Sequence, residues 1–191
     1  MISCQKCGEA ATIHITEVLE ARSRTAEFHL CEQHAREQVG SETEQTRSDW
    51  FSQRAAVRVD GGIGFDIMRV IISEIGEQQV VYLRELGGNR RFPIVIGLFE
   101  ATALCRRLKG IQTPRPLTHD AWANTISSLG GTVEDVWINS LQEHIYFATI
   151  RVRQPDQIVE FDVRPSDAFC IAVIANVPIY VAEQVVDEVC C

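Results

Sequence analysis

Two stretches carry residue types that can do chemistry together. Residues 113–120 read Thr-Pro-Arg-Pro-Leu-Thr-His-Asp, and residues 164–167 read Arg-Pro-Ser-Asp. Each sets an Arg-Pro pair just before an expected helix start, followed by a hydroxyl residue and an Asp. Proline fixes φ at a value that suits the first helical turn, and a hydroxyl there can satisfy free backbone N–H groups. A helix start beside an arginine makes a phosphate-sized anion site. If both starts open on one cleft, its chemistry is hydrolysis of a phosphate ester. Asp120 and Asp167, with Glu100, can hold a Mg or Mn ion; His119 can take or give a proton; Arg115 and Arg164, with Ser166, can grip the phosphate. The same residues have plainer uses, since Thr118 can cap its helix and the three acids can complement helix dipoles.

Arg106, Arg107, Lys109 and Arg115 form a basic cluster free of acids, just ahead of the first stretch. Cations favour a helix C-terminus in any case, but this is also the place for a nucleic-acid backbone. The formal charge of −8 excludes a general electrostatic grip on polyanions, so such a partner has to be held locally.

A second constellation opens the chain. Cys4-x-x-Cys7 and Cys31-x-x-His34 flank two short stretches of strand-like alternation, 12–18 and 26–30. Four soft or borderline ligands at this spacing suit a tetrahedral, closed, structural zinc site. So short a segment has no core of its own, and zinc would supply folding free energy on the order of 10 kcal/mol. His14 and His29 fall on the expected strands and read as packing or surface residues. An odd total of seven cysteines, a CxxC and the polar N-terminus point to a reducing, cytoplasmic setting. Cys105 and Cys170 fall within expected helices as inert thiols, and Cys190-Cys191 reads as a frayed tail.

These sites need elements to position them. With 191 residues, 46 % of them hydrophobic, the chain can bury one good core and carry a small appendage. The expected organisation is a zinc module at 1–34, a polar linker or loosely held helix at 35–62 and a larger domain at 63–191, with Trp50-Phe51 in the linker docking on a neighbour. Strands are expected at 66–75, 78–85 and 91–96, then a helix at 98–109 with Phe99, Ala103, Leu104 and Leu108 on one face. A helix at 122–129 precedes strands at 132–139, 145–153 and 157–163. A buried helix at 165–176, an edge strand at 178–181 and a short helix at 182–189 complete the order. It is an α+β order: a mainly antiparallel sheet with three to four packed helices and a zinc-bound hairpin. No apolar run approaches a membrane span, and the edge strand suggests a homo-oligomer.

Residues 66–189 resemble the bifunctional nuclease domain family. The resemblance is carried by Phe92-Pro93-Ile94-Val95-Ile96-Gly97 with Glu100-Ala101, by 113–120, by Val163-Arg164-Pro165-Ser166-Asp167-Ala168, and by Pro178-Ile179-Tyr180-Val181. It implies a nuclease acting on RNA and DNA without marked sequence preference. The N-terminal module resembles the zinc-binding start of activators of bacterial protein-arginine kinases, with His34 in place of the usual last cysteine. That resemblance implies adaptor work, so the alternative is a non-catalytic regulator whose zinc hairpin recruits a protein partner.

Overall fold

A computed structural model describes residues 2–19, 22, 24–40, 58–59 and 61–190. Among these residues the chain runs β1 (Ile13–Leu19), β2 (Arg24–Leu30), α1 (Glu32–Gly40), β3 (Arg58–Val59), β4 (Gly62–Ser73), β5 (Gln79–Glu85), β6 (Arg91–Ile96), α2 (Leu98–Leu108), α3 (Thr118–Ser128), β7 (Thr132–Gln142), β8 (Ile145–Arg153), β9 (Ile158–Val163), α4 (Pro165–Ala175), β10 (Ile179–Ala182) and α5 (Glu183–Val189). Trp50-Phe51 and Cys191 lie outside the described residues.

The twelve-residue β4 organises the sheet. Its residues are buried without alternation from Gly62 to Val70, the mark of a strand covered on both faces. Its length lets it pair with β10 through Gly62–Phe65 partners and with β1 farther along, from Ile13↔Ser73 to Glu17↔Arg69. β5 takes the other edge and β6 extends it. The main path is β2-β1-β4-β10-β7-β8-β9, antiparallel except where β10 runs parallel to β7. The N-terminal β1–β2 hairpin is therefore continuous with the larger sheet.

Helices α2 and α3 both pack on α4, and α4 lies against β7 and β8. Beneath them Phe65, Phe92 and Phe169 are among the largest fully buried side chains, and Phe65 meets Phe92 edge to face at 5.4 Å. Burying side chains of this kind contributes roughly 1.5–3 kcal/mol each. Such a core fixes α4, the helix that carries Asp167.

Three expectations need correcting. Residues 178–181 are not an edge: β10 lies between β4 and β7, because Ile179, Tyr180 and Val181 are apolar toward both faces and all buried. Phe99 is 86 % exposed, since α2 faces the core with Ala101, Leu104, Cys105 and Leu108, and two residues back from Ala101 is about 200° around the helix. Thr118 is not a cap: Leu117 holds that position, Thr118 is already helical, and the Asp120 carboxylate accepts the Leu117 N–H at 3.0 Å. The polar stretch after residue 34, expected as a linker or a loosely held helix, carries most of α1 at its start and β3 near its end.

The β1–β2 turn reaches into the core. Arg22, at φ 70°, donates Nε–H to Asp66 Oδ1 at 2.5 Å and Nη1–H to the carbonyls of Ala172 and Val177 at 3.2 and 3.1 Å. Those carbonyls close the C-terminus of α4, where Asn176 takes the left-handed conformation. His14 and His29 face each other on β1 and β2, Nδ1 to Nδ1 at 2.8 Å, and lie outside the Cys4, Cys7, Cys31 and His34 cluster. Among the described residues no helix is long and apolar enough to cross a membrane.

Candidate active site and metal centre

The two proline-led helix starts meet. His119, in the first turn of α3, lies with Nε2 2.9 Å from Asp167 Oδ1, in the first turn of α4. A carboxylate only accepts, so the shared hydrogen sits on Nε2, and in the neutral ring the lone pair is then on Nδ1. Arg164 donates Nε–H to Asp167 Oδ2 at 2.8 Å and Nη2–H to Oδ1 at 3.2 Å, and its Nη2 also lies 2.9 Å from Glu100 Oε1. His119, Asp167, Arg164 and Glu100 thus form one network linking the starts of α2, α3 and α4. Gly97 makes room for it: a Cβ there would stand 2.4 Å from Glu100 Oε2.

Burial alone would raise the Asp167 carboxyl, but Arg164 and then His119 outweigh it and hold the group below its ordinary value. The carboxylate stays charged at neutral pH. Arg164 is raised in turn by Asp167 and, opposed by desolvation, by Glu100. Its guanidinium is 67 % exposed, and Nη1 remains for a ligand. Behind the network the Cys170 thiol is pushed up to about 12, by burial first and then by Asp167 and Glu100, so it is an inert wall.

The other sequence candidates divide. Asp120 turns to Arg107, whose Nη2 lies 2.7 Å from Oδ1, and is not part of the His119 network. Arg106 and Arg107 line a small pocket with Ala103, Ile111, His119 and Ile174. Lys109 is drawn off to Glu27 of β2 at 2.8 Å, and Arg115 stands exposed on the loop before α3. Ser166 is buried, away from solvent ligands. The basic run therefore disperses into separate roles. Sequence reasoning missed Gly97 as a space-maker and the Arg107–Asp120 pair, since neither follows any spacing rule.

A Mg or Mn ion fits this donor set poorly. Glu100 and Asp167 share the Arg164 guanidinium, Asp120 is bound to Arg107, and among the described residues no three ligand groups gather here. The N-terminal cluster differs. The ligand atoms of Cys4, Cys7, Cys31 and His34 all lie within 4.8 Å of one another. Cys7 Sγ to Cys31 Sγ is 3.7 Å and Cys4 Sγ to His34 Nδ1 is 3.6 Å. Tetrahedral zinc with bonds of ~2.3 Å to sulfur sets sulfur atoms about 3.8 Å apart, so the group can hold a metal ion and is compatible with zinc. Burial opposes the Cys4 thiolate, yet the backbone at Cys31, Lys6 and Cys7 outweighs it and lowers the thiol to about 6. Although the Glu9 backbone lowers it, Cys7 rises to about 11 through burial and the neighbouring Cys4 and Cys31 sulfurs. Crowded sulfurs that resist joint ionisation call for a cation between them.

The family model of the bifunctional nuclease domain matches residues 81–191, a span containing the whole His119 network. The chain belongs to the bifunctional nuclease domain family, and a nuclease is supported at that level. An uncharacterized protein of Mycobacterium tuberculosis is 38 % identical over 122 residues, covering 64 % of this chain and 73 % of its own. Bifunctional nuclease 2 of Oryza sativa subsp. japonica is 31 % identical over 114 residues, 58 % of this chain and 35 % of its own. Bifunctional nuclease 2 of Arabidopsis thaliana is 30 % identical over 105 residues, 53 % and 32 % of the two chains. The chain spans about a third of each plant protein.

Proposed function

We propose that this protein hydrolyses phosphodiester bonds in RNA and DNA with low sequence preference, and that His119 and Asp167 carry the reaction. The observation that supports the reading is the 2.9 Å contact between the two, one from each proline-led helix start. A water attacks phosphorus as His119 Nδ1 takes its proton; the P–O bond to the leaving oxygen breaks, and that oxygen is protonated by the imidazolium or by solvent. Asp167 holds the ring in place through Nε2. Arg164, already carrying two carboxylates, uses Nη1 for a phosphate oxygen, with Arg106 and Arg115 adding positive charge nearby. Metal dependence is the finer expectation, and Mg or Mn would need Arg164 to leave Glu100 and Asp167. Glu100 then belongs with the network, while Asp120 and Ser166 fall outside the reacting groups.

The test is cleavage of labelled single-stranded RNA and DNA by purified protein, with and without added Mg²⁺ or Mn²⁺. His119→Ala should lower kcat/KM by about 10²–10⁴ while the thermal transition stays in place. Wild-type activity in that variant would remove the proposal. At the N-terminus we assign Cys4, Cys7, Cys31 and His34 a structural zinc, which metal analysis of protein purified without chelator checks at one ion per chain.

A further inference from the structure

His14 of β1 and His29 of β2 stand directly opposite each other across the hairpin. Their rings meet edge to face with centroids 5.0 Å apart, and Nδ1 lies 2.8 Å from Nδ1. Both far nitrogens face carboxylates: His14 Nε2 is 2.9 Å from Glu74 Oε1, and His29 Nε2 is 3.8 Å from Glu27 Oε2. Lys109 Nζ also holds that Glu27 oxygen, at 2.8 Å, and the Gln5 side-chain oxygen accepts the His29 backbone N–H at 3.2 Å. β1 is paired on both edges, with β2 and β4, which keeps the two rings in register. A count of hydrogens exposes a mismatch. A carboxylate only accepts, so Nε2 is the nitrogen that carries the hydrogen on each ring. Two neutral rings have no third hydrogen, and two Nδ1 lone pairs are then left facing each other at 2.8 Å. Such a pair is completed by a cation between the rings.

We propose that His14 and His29 bind a divalent transition-metal ion of the nickel or copper type through both Nδ1 atoms, with Glu74 and Glu27 positioning the rings and water completing the coordination. Metal-ligating histidines commonly turn their other N–H to a carboxylate, the arrangement both rings have here. Bonds of 2.0–2.1 Å set two nitrogens about 2.8–3.0 Å apart at a 90° angle and about 3.3–3.4 Å apart in a tetrahedron. The 2.8 Å separation matches the first, so a small tilt of the rings brings both lone pairs onto one ion in square or octahedral geometry. Imidazole and water at such angles suit nickel or copper, whereas a set rich in thiolates suits tetrahedral zinc. The site is therefore separate in place and in preference from the Cys4, Cys7, Cys31 and His34 cluster, which includes neither ring. At 19 % and 25 % exposure the rings are open to an entering ion. Once bound, the ion cross-links β1 to β2, and Glu74, just past the end of β4, ties it to the third strand.

The experiment is equilibrium dialysis of untagged, full-length protein, loaded with one equivalent of zinc, against Ni²⁺, with nickel and zinc counted per chain. The expected result is one nickel taken up with the zinc retained, and no thiolate-to-nickel charge-transfer absorption. His14→Phe keeps a ring on the strand but no ligand nitrogen, and should weaken nickel uptake by at least about tenfold. Glu74→Gln removes no ligand and lies at an exposed position, and should weaken uptake by about tenfold through the loss of ring positioning. Absence of nickel uptake by wild type would mean that the rings share a proton only, and overturns the proposal. Nickel found only on thiolates, or an unchanged affinity in both folded variants, overturns it as well. Nucleic-acid cleavage plays no part in the readout, so this site and the nuclease reading fail independently.

Discussion

The chemistry of the site rests on how one carboxylate is shared. Asp167 accepts from His119 and from Arg164, and these partners hold its pKa below the ordinary carboxyl value against the opposing effect of burial. A carboxyl lowered in the folded state contributes stability that is present above its unfolded pKa, about 3.9, and lost as pH falls through the folded value. Asp167→Asn removes that contribution. Its melting temperature should therefore fall less steeply than wild type on acidification below pH ~4, as thermal melts across that range would show. Equal acid sensitivity would mean that the shared carboxylate adds nothing to the fold. The identities of His119, Asp167, Arg164 and Glu100 were legible in the sequence because helix starts beside proline and arginine have a recognisable grammar. The partnering was not, since Asp120 and Asp167 sit in matching sequence positions but turn to different arginines, Arg107 and Arg164.

At the scale of elements, site geometry depends on how close the backbones come. Gly97 precedes α2 at φ −75°, a value any residue adopts, so its lack of a side chain matters only for space. An alanine there would press on Glu100 Oε2, the mobile end of a side chain. Gly97→Ala should displace Glu100 from Arg164, lower cleavage several-fold and leave stability within ~0.5 kcal/mol, measured by kinetics and urea melts on one preparation. Most element types and several bounds followed from periodicity and turn residues; β6 at Arg91–Ile96 and β8 at Ile145–Arg153 fall where expected. β10 misled because a four-residue apolar strand carries no signal distinguishing an edge from a centre. Phe99 misled because helical spacing marks a face without saying which face meets the core.

Across the whole molecule, the N-terminal hairpin and the candidate site share α4. Arg22 at the hairpin turn holds Asp66, which is 1 % exposed, and the carbonyls ending α4, whose other end presents Asp167. Arg22→Met would leave a buried carboxylate without this cation, a change costing about 3–5 kcal/mol. The melting temperature should drop by on the order of 10 °C. Removing a metal held by Cys4, Cys7, Cys31 and His34 should act by the same route, since the hairpin would lose its staple. After chelation, hydrogen exchange should quicken in β1 and β2 before β7 and β8; uniform exchange would show that the module does not unfold by itself. Continuity of β1 with β4 was not legible, because nothing in an amphipathic hairpin announces which strand it will join.

The central claim is that His119 and Asp167 work as one unit, and a double-mutant cycle on single-strand cleavage tests it most directly. The kcat/KM values of wild type, His119→Ala, Asp167→Asn and the double variant are compared, with thermal melts showing that all four are folded. If the pair acts together, the double variant is no slower than the slower single variant. Losses that multiply across the cycle would show two independent contributions and contradict the account.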